Sequence, residues 1–361
     1  MIKFLQDWYE RHFSNPQVAF LAVILILGFA IVLLAGKVLA PLLIALIMAY
    51  ILDGAVEWLV IAKLPRAVAV AIVFLLFMGG FLAIMIWLLP LLLKQAAQFF
   101  SEVPQMANKG QHLLMQLPER YPDMITPEDV VSVISQIRSE LAGMGQRVVS
   151  LSVSSVINVL TILVYMVLVP VLIFFLLKDK QKLTNWATGF LPRDRALSMQ
   201  VWHEMNEKIA GYMRGKLAEI LIAWIVSYVT FSLLDLNYAM LLSVIVGLSV
   251  IIPFVGAAVV TLPIGLIAYF QWGFSSELFY VLLAYAIIQF LDGNLLVPLL
   301  FSEAVNLHPV AIIAAVLIFG GIWGVWGVFF AIPLATLVQA VLNAWPKEST
   351  ELVPESVIET D

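Results

Sequence analysis

No cysteine occurs among the 361 residues, which removes a disulfide framework, a thiol nucleophile and any sulfur-ligated metal centre at once. Charge is nearly as scarce: 12% of residues are charged against 63% hydrophobic, and mean hydropathy is +1.02. A soluble core of this length cannot hide so much apolar surface, and uncharged runs approach the ~20 residues a helix needs to cross a bilayer. The chain therefore reads as an all-α, polytopic helical membrane protein surrounded by membrane lipids. Enzyme motifs are missing too: there is no HExxH, no GxSxG and no GxxxxGK(S/T). Without that last motif the chain cannot itself use ATP, so an ion gradient is the natural energy source for any transport. His12, His112, His203 and His308 are too dispersed to suggest a metal cluster. We expect no enzyme and no cofactor. The net charge of −5 argues against a polyanion-binding surface, and so against nucleic acid.

Residues 1–16 place Ile2, Leu5, Trp8, Tyr9, His12 and Phe13 at helical spacing with charges between them, the pattern of a helix lying in the membrane interface. Gln17–Gly36 follows as a full-length span, Lys37 turns the chain tightly into Val38–Leu52, and Ala67–Leu93 makes a third span closed by Pro90. These elements make up a first block, 1–93. Residues 94–147 turn polar, with four prolines and five basic against six acidic residues, and read as an extracytoplasmic, partly helical insert. Val148–Leu177 crosses again. Residues 178–216 hold eight of the nineteen Lys and Arg residues against four acids, which makes that segment cytoplasmic by the positive-inside rule. Counting back puts Lys63 and Arg66 of the 53–66 loop, and Lys3 and Arg11 of the N-terminus, on the same side. Leu197–Lys216 reads as an amphipathic helix at that surface. A C-terminal membrane core at 217–346 and an acidic tail at 347–361 complete the chain.

From Leu217 to Pro346 there is no Lys or Arg, yet five acids: Glu219, Asp235, Glu277, Asp292 and Glu303. A membrane half of this kind suits cations or protons, because no fixed positive charge within it neutralises the carboxylates. Asp235, Glu277 and Glu303 neighbour turn residues and read as loop acids in water; Glu219 and Asp292 do not. Asp292, Gly293 and Asn294 divide an apolar stretch into Leu278–Leu291 and Leu295–Phe301, each too short to cross alone. The triplet would also suit a surface turn, but those lengths favour one span unwound at the triplet, its freed groups lining a polar cavity. A second break falls at Pro253, Gly256 and Pro263 within Leu241–Phe270, either a kinked span or a re-entrant hairpin. Paired breaks point to a transporter site, in which Asp292 titrates or holds a cation while Gln289 and Asn294 hydrogen-bond the solute. Val310–Trp345 reads as one last span, whose glycines at 320, 321, 324 and 327 allow close helix packing, between subunits as well as within one.

The strings DGNLLVPLLFSEAVNLHP at 292–309, VLIFFLLKDK at 171–180, GYMRGK at 211–216, VGLSVIIPFVGA at 246–257 and IFGGIWGVWGVFFAIPLATL at 318–337 resemble the autoinducer-2 exporter (AI-2E) family over nearly the whole chain. The resemblance implies about eight transmembrane helices with interrupted or re-entrant segments near Pro253 and Asp292, and both termini in the cytoplasm of a bacterium, below its inner membrane. It also implies a homo-oligomer, a pentamer. The family's polar motif falls on Gln289, Asp292, Gly293, Asn294 and Pro298, with the second break at Pro253 and Gly256; this chain has Gly293-Asn294 where many members have Asn-Asn. The function implied is a secondary transporter of a small polar solute such as autoinducer-2. Sodium or lithium/proton antiport is the alternative within the family, and a non-transporting membrane scaffold the alternative outside it.

Overall fold

The computed structural model describes residues 16–115, 131–132, 134–135, 155–189, 196–253, 255–301 and 307–344. The interfacial helix expected before Pro16, most of the insert beyond Met115, and the acidic tail lie outside the described residues. Every regular element among them is helical: α1 (Pro16–Ile61), α2 (Arg66–Ala83), a π-turn (Ile84–Leu88), α3 (Leu89–Met115), α4 (Ser155–Lys178), α5 (Lys180–Thr188), α6 (Ala196–Leu233), α7 (Ala239–Ser249), α8 (Val255–Trp272), α9 (Ser276–Leu291), a second π-turn (Asp292–Leu296), α10 (Val297–Phe301), α11 (Pro309–Trp323) and α12 (Val325–Ala344). Five stretches are long and apolar enough to cross a membrane: Val38–Ile61, Arg66–Gln111, Lys208–Leu233, Val255–Trp272 and Ser276–Phe301. Their surfaces say the same. Leu76 and Ile86 are 72% and 74% exposed, and such side chains, repeated along every long helix, face lipid rather than water. The chain is a multi-pass membrane protein.

Several sequence expectations change. No hairpin forms at Lys37, because α1 runs unbroken from Pro16 to Ile61; a single glycine before a lysine, with apolar residues on both sides, is too weak a break to stop a helix. Pro90 does not close the third span either. The helix continues through the π-turn at Ile84–Leu88 into α3. A proline ring collides with the carbonyl four residues back in α geometry, and the extra residue of a π-turn just upstream opens the spiral there. The expected unwinding at Asp292–Asn294 is replaced by the same device, a second π-turn at Asp292–Leu296 that again ends two residues before a proline, Pro298. The span at 276–301 is thus bulged, not broken.

The choice at 241–270 falls to the hairpin. α7 ends at Ser249, a turn carries Pro253, and α8 returns against α7; eleven residues give α7 only ~16 Å, about half a bilayer. The last apolar stretch is also two helices, not one span. Gly324, at φ +62°, ends α11, and α12 folds back so closely that a Cβ on Gly327 would strike the Phe319 carbonyl. Gly320, whose added Cβ would sit 2.8 Å from Val328, and Gly327 serve packing within the chain, while Gly324 makes the turn.

The chain falls into two compact units, 1–37 with 185–211 and 303–361, and 38–184 with 212–302. The second holds the sites described below. At one end of it Asp53 of α1, largely buried, accepts from Arg66 Nη2 at 2.9 Å and from Lys180 Nζ, while Lys180 also reaches Glu57 Oε1 at 3.1 Å. The two basic segments assigned to one side of the membrane therefore meet. Burial pulls the Lys180 ammonium down, but the hydrogen bonds and charges of Asp53 and Glu57 outweigh it and raise it. A raised lysine contributes its stability in full below its unfolded value of about 10.4 and loses it only as pH climbs through the higher folded one. Lys180 therefore keeps its charge at every physiological pH. Asp53→Asn should cost about 1–3 kcal/mol by stripping two cations of their carboxylate, read as a lowered unfolding midpoint in detergent. Lys180→Met, at a side chain 43% exposed, should cost under about 1 kcal/mol.

Candidate functional site

The buried stripe of α6 repeats every three to four residues through Tyr212, Lys216, Glu219, Ala223, Ser227 and Phe231. Lys216, Glu219 and Ser227 among these are polar or charged side chains buried inside the protein. Lys216 Nζ donates to Glu219 Oε2 at 2.7 Å and to the Val250 carbonyl at 2.7 Å, and lies 5.5 Å from the centre of the Phe301 ring. The two side chains are 6% and 3% exposed. Gly215 makes this possible, since a Cβ there would sit 2.9 Å from the Phe301 ring and 3.0 Å from the Leu300 carbonyl. The sequence GYMRGK thus seats a lysine where a larger neighbour would push α6 off α10.

The Val250 carbonyl is available because α7 stops one residue earlier. Ile252 N–H caps the Ser249 carbonyl at 3.0 Å, and Gly256 N–H bonds the Ile252 carbonyl at 3.0 Å. Pro253 has no N–H to continue α7, and Gly256 has no Cβ, which would otherwise run into the Ser249 carbonyl. The two residues marked as the second break therefore build the hairpin tip that Lys216 holds.

The third side comes from α9. Its buried face repeats as Val281, Tyr285, Ile288 and the half-buried Asp292. Asp292 Oδ1 and Gln289 Nε2 are buried without a hydrogen-bond partner. The Lys216 charge acts on Asp292, and the Asp292 charge acts on Glu219. Glu219 and the hairpin tip shaped by Pro253 and Gly256 thus meet at Lys216, with Asp292 within reach of its charge. The others do not join them. Gly293, Asn294 and Pro298 are exposed, and Asn294 Nδ2 donates to the Phe290 carbonyl of its own helix at 2.9 Å.

The expectation that the C-terminal half has no fixed positive charge to pair its acids is corrected by Lys216. It stands one residue before that half begins and reaches into it. Counting ordinary charge forms, two carboxylates (Glu219, Asp292) less one ammonium (Lys216) leave one carboxylate in excess. The signal in the sequence was the i, i+3 spacing of Lys216 and Glu219.

A family model described as AI-2E family transporter matches residues 20–347. The chain belongs to the AI-2E family. It is 46% identical to the protein named "Putative permease PerM" of Escherichia coli (strain K12) over 346 residues, 96% of this chain and 98% of that one. It is 26% identical to "Putative transport protein YueF" of Bacillus subtilis (strain 168), over 91% of this chain and 92% of that one. With "AI-2 transport protein TqsA" of Escherichia coli (strain K12) it shares 22% identity over 90% of this chain and 92% of that one. For an AI-2E transporter, a polar cavity elsewhere on the same unit is also of note. It measures about 70 Å³, and Glu102, Gln105 and Lys109 of α3 face Asn237, Tyr238 and Gln271 across it. Burial pushes the Tyr238 phenol up to about 12, and the hydrogen bond and charge of Glu102 add to this. None of the sequence-derived candidates lines that cavity.

Proposed function

We propose that this AI-2E protein is a secondary transporter that moves a small polar solute on an ion gradient, with Asp292 as the group that titrates or holds the coupling cation. The observation that carries the reading is the buried, unpartnered Oδ1 of Asp292 beside a Lys216–Glu219 pair that is already satisfied. Intramembrane carboxylates are costly and mark ion or proton paths. An excess of one carboxylate is neutralised by one proton or one monovalent cation, and its arrival gives Lys216 a reason to change partners. Lys216 also holds the tip of the re-entrant hairpin, so occupancy of the carboxylates and position of the hairpin are linked. Autoinducer-2 is the solute to try first, from the name of one relative, and its export would give the protein a part in quorum sensing. The same excess carboxylate favours a second reading, in which the cation is itself the cargo and the protein is a sodium or lithium/proton antiporter. Either way we place it in a bacterial inner membrane with both termini cytoplasmic and assembled as a homo-oligomer, a pentamer by family likeness; its exposed apolar helix faces fit lipid and neighbouring subunits.

The test is autoinducer-2 uptake into proteoliposomes with and without an imposed proton gradient. Gradient-driven uptake should fall at least tenfold in Asp292→Asn, an isosteric change that removes the titratable charge. Wild-type uptake by a folded Asp292→Asn protein would remove Asp292 from the coupling. No solute uptake, with sodium/proton exchange in the same vesicles, would select the antiporter. Neither activity would favour a scaffold.

A further inference from the structure

Four elements converge on one turn of α1. Asp53 accepts from Arg66 at the start of α2 and from Lys180 of α5, Lys180 also reaches Glu57, and the Arg214 side chain of α6 lies against Gly54. A Cβ on Gly54 would sit 3.2 Å from Arg214 Nη1 and 3.4 Å from its Cδ, so the missing side chain is what lets the guanidinium rest there. Gly54 and Glu57 are three residues apart and share a face of α1, which sets Arg214 and Lys180 on neighbouring positions of that face. The charges around this turn do not cancel. Three cations (Arg66, Lys180, Arg214) less two carboxylates (Asp53, Glu57) leave one cation in excess. Among the described residues no carboxylate pairs with Arg214, and its side chain is exposed. The turn lies near the ends of the apolar stretches Val38–Ile61 and Lys208–Leu233. Trp58 and Ile61, close by on α1, are 70% and 82% exposed. Apolar side chains open to lipid thus stand beside an unpaired guanidinium, at the level where hydrocarbon gives way to headgroups.

We propose that this turn of α1 binds the phosphate of one anionic phospholipid, held by Arg214 with Lys180 beside it. A guanidinium presents parallel N–H donors that match two phosphate oxygens. An ammonium has three donors; Lys180 gives one to Asp53 and one to Glu57, and a third is left for the same phosphate. Charge decides between headgroups. A phosphodiester with an uncharged headgroup carries one negative charge, which equals the excess at the turn, whereas a zwitterionic headgroup brings an ammonium that restores the excess. The exposed Trp58 and Ile61 decide between sources, because acyl chains can cover them and free phosphate cannot. The site is separate from Asp292 and from the transported solute, and it would fasten α6, two residues before Lys216, to α1 and α5.

Native mass spectrometry of the purified full-length protein, titrated with phosphatidylglycerol in detergent, tests this. The wild type should hold one phosphatidylglycerol per chain more tightly than any further ones. Arg214→Gln should weaken that first step about tenfold, the worth of a charge-assisted hydrogen bond. Gly54→Leu removes no charge but pushes the guanidinium off α1, and should weaken the same step by a similar factor; general attraction of basic residues to an anionic surface would be indifferent to it. Lys182→Gln, at a cation 85% exposed two residues along α5, should have no effect. Phosphatidylcholine should bind several-fold more weakly, and neither inorganic phosphate nor glycerol phosphate should compete. Because Arg214 is exposed, Arg214→Gln should unfold at the wild-type temperature in lipid-free detergent, which separates loss of the site from loss of the fold. Unchanged phosphatidylglycerol binding in Arg214→Gln or Gly54→Leu, equal binding of phosphatidylcholine, or displacement by inorganic phosphate would each overturn the proposal. None of these measurements reads transport, so their outcome is independent of that of Asp292→Asn in the vesicles.

Discussion

Lys216→Met should destabilise the protein by about 3–5 kcal/mol, the cost of leaving a buried carboxylate without its cation. The change keeps a long unbranched side chain against the Phe301 ring, so little packing is lost. What disappears is the ammonium that bonds Glu219 Oε2 and the Val250 carbonyl, each at 2.7 Å. Glu219 is 3% exposed at its side chain, so water replaces little of the lost ammonium, and the hairpin tip loses its tie to α6 in the same step. The sign of the double variant is the sharper part. Lys216→Met with Glu219→Gln removes both charges together, and paired removal of a buried ion pair costs far less than the loss of one partner. The double variant should therefore recover most of the loss, leaving about 1–2 kcal/mol for the unpaired Val250 carbonyl. Equilibrium unfolding in mixed micelles measures the cycle. If the two single changes simply add, Lys216 and Glu219 are not a coupled pair and the site needs another account. Lys216→Arg should not restore the wild type, because a planar fork cannot reach a carboxylate and a hairpin carbonyl from the narrow gap beside Gly215 as a rotating ammonium does.

The membrane class was legible because it rests on composition, which no tertiary detail can reverse. Asp292 was legible for a related reason: a carboxylate at that depth is costly wherever its neighbours lie. The form of the backbone around it was not. A π-turn and an unwound segment call for the same residues, and what separates them is whether one extra residue is enough to pass the ring of Pro298, a matter of ångströms that residue types do not encode. Pro253 and Gly256 announced a break, but hairpin or kink depended on whether α7 and α8 pack on each other. Lys216 was missed because charge was counted by segment. A lysine at the end of a basic stretch looks like its neighbours Lys208 and Arg214 until α6 continues without interruption into the membrane and turns one of the three inward.

Gly256→Ala should cost roughly 3 kcal/mol, the upper end for overpacking, and should do so without touching any charged group. The methyl group would be built into the Ser249 carbonyl, and the next nearest atoms are also Ser249 backbone. Backbone cannot swing aside as a side chain does, so α7 and α8 must separate at the tip. That movement carries the Val250 carbonyl with it, which predicts a second effect at a distance: Lys216 loses one of its two bonds although neither it nor Glu219 has changed. The loss in Gly256→Ala should then be less than additive with that in Lys216→Met, because both variants remove the same hairpin contact. Additive losses would mean that the tip and the ion pair are independent, and with that the link between carboxylate occupancy and hairpin position would fail.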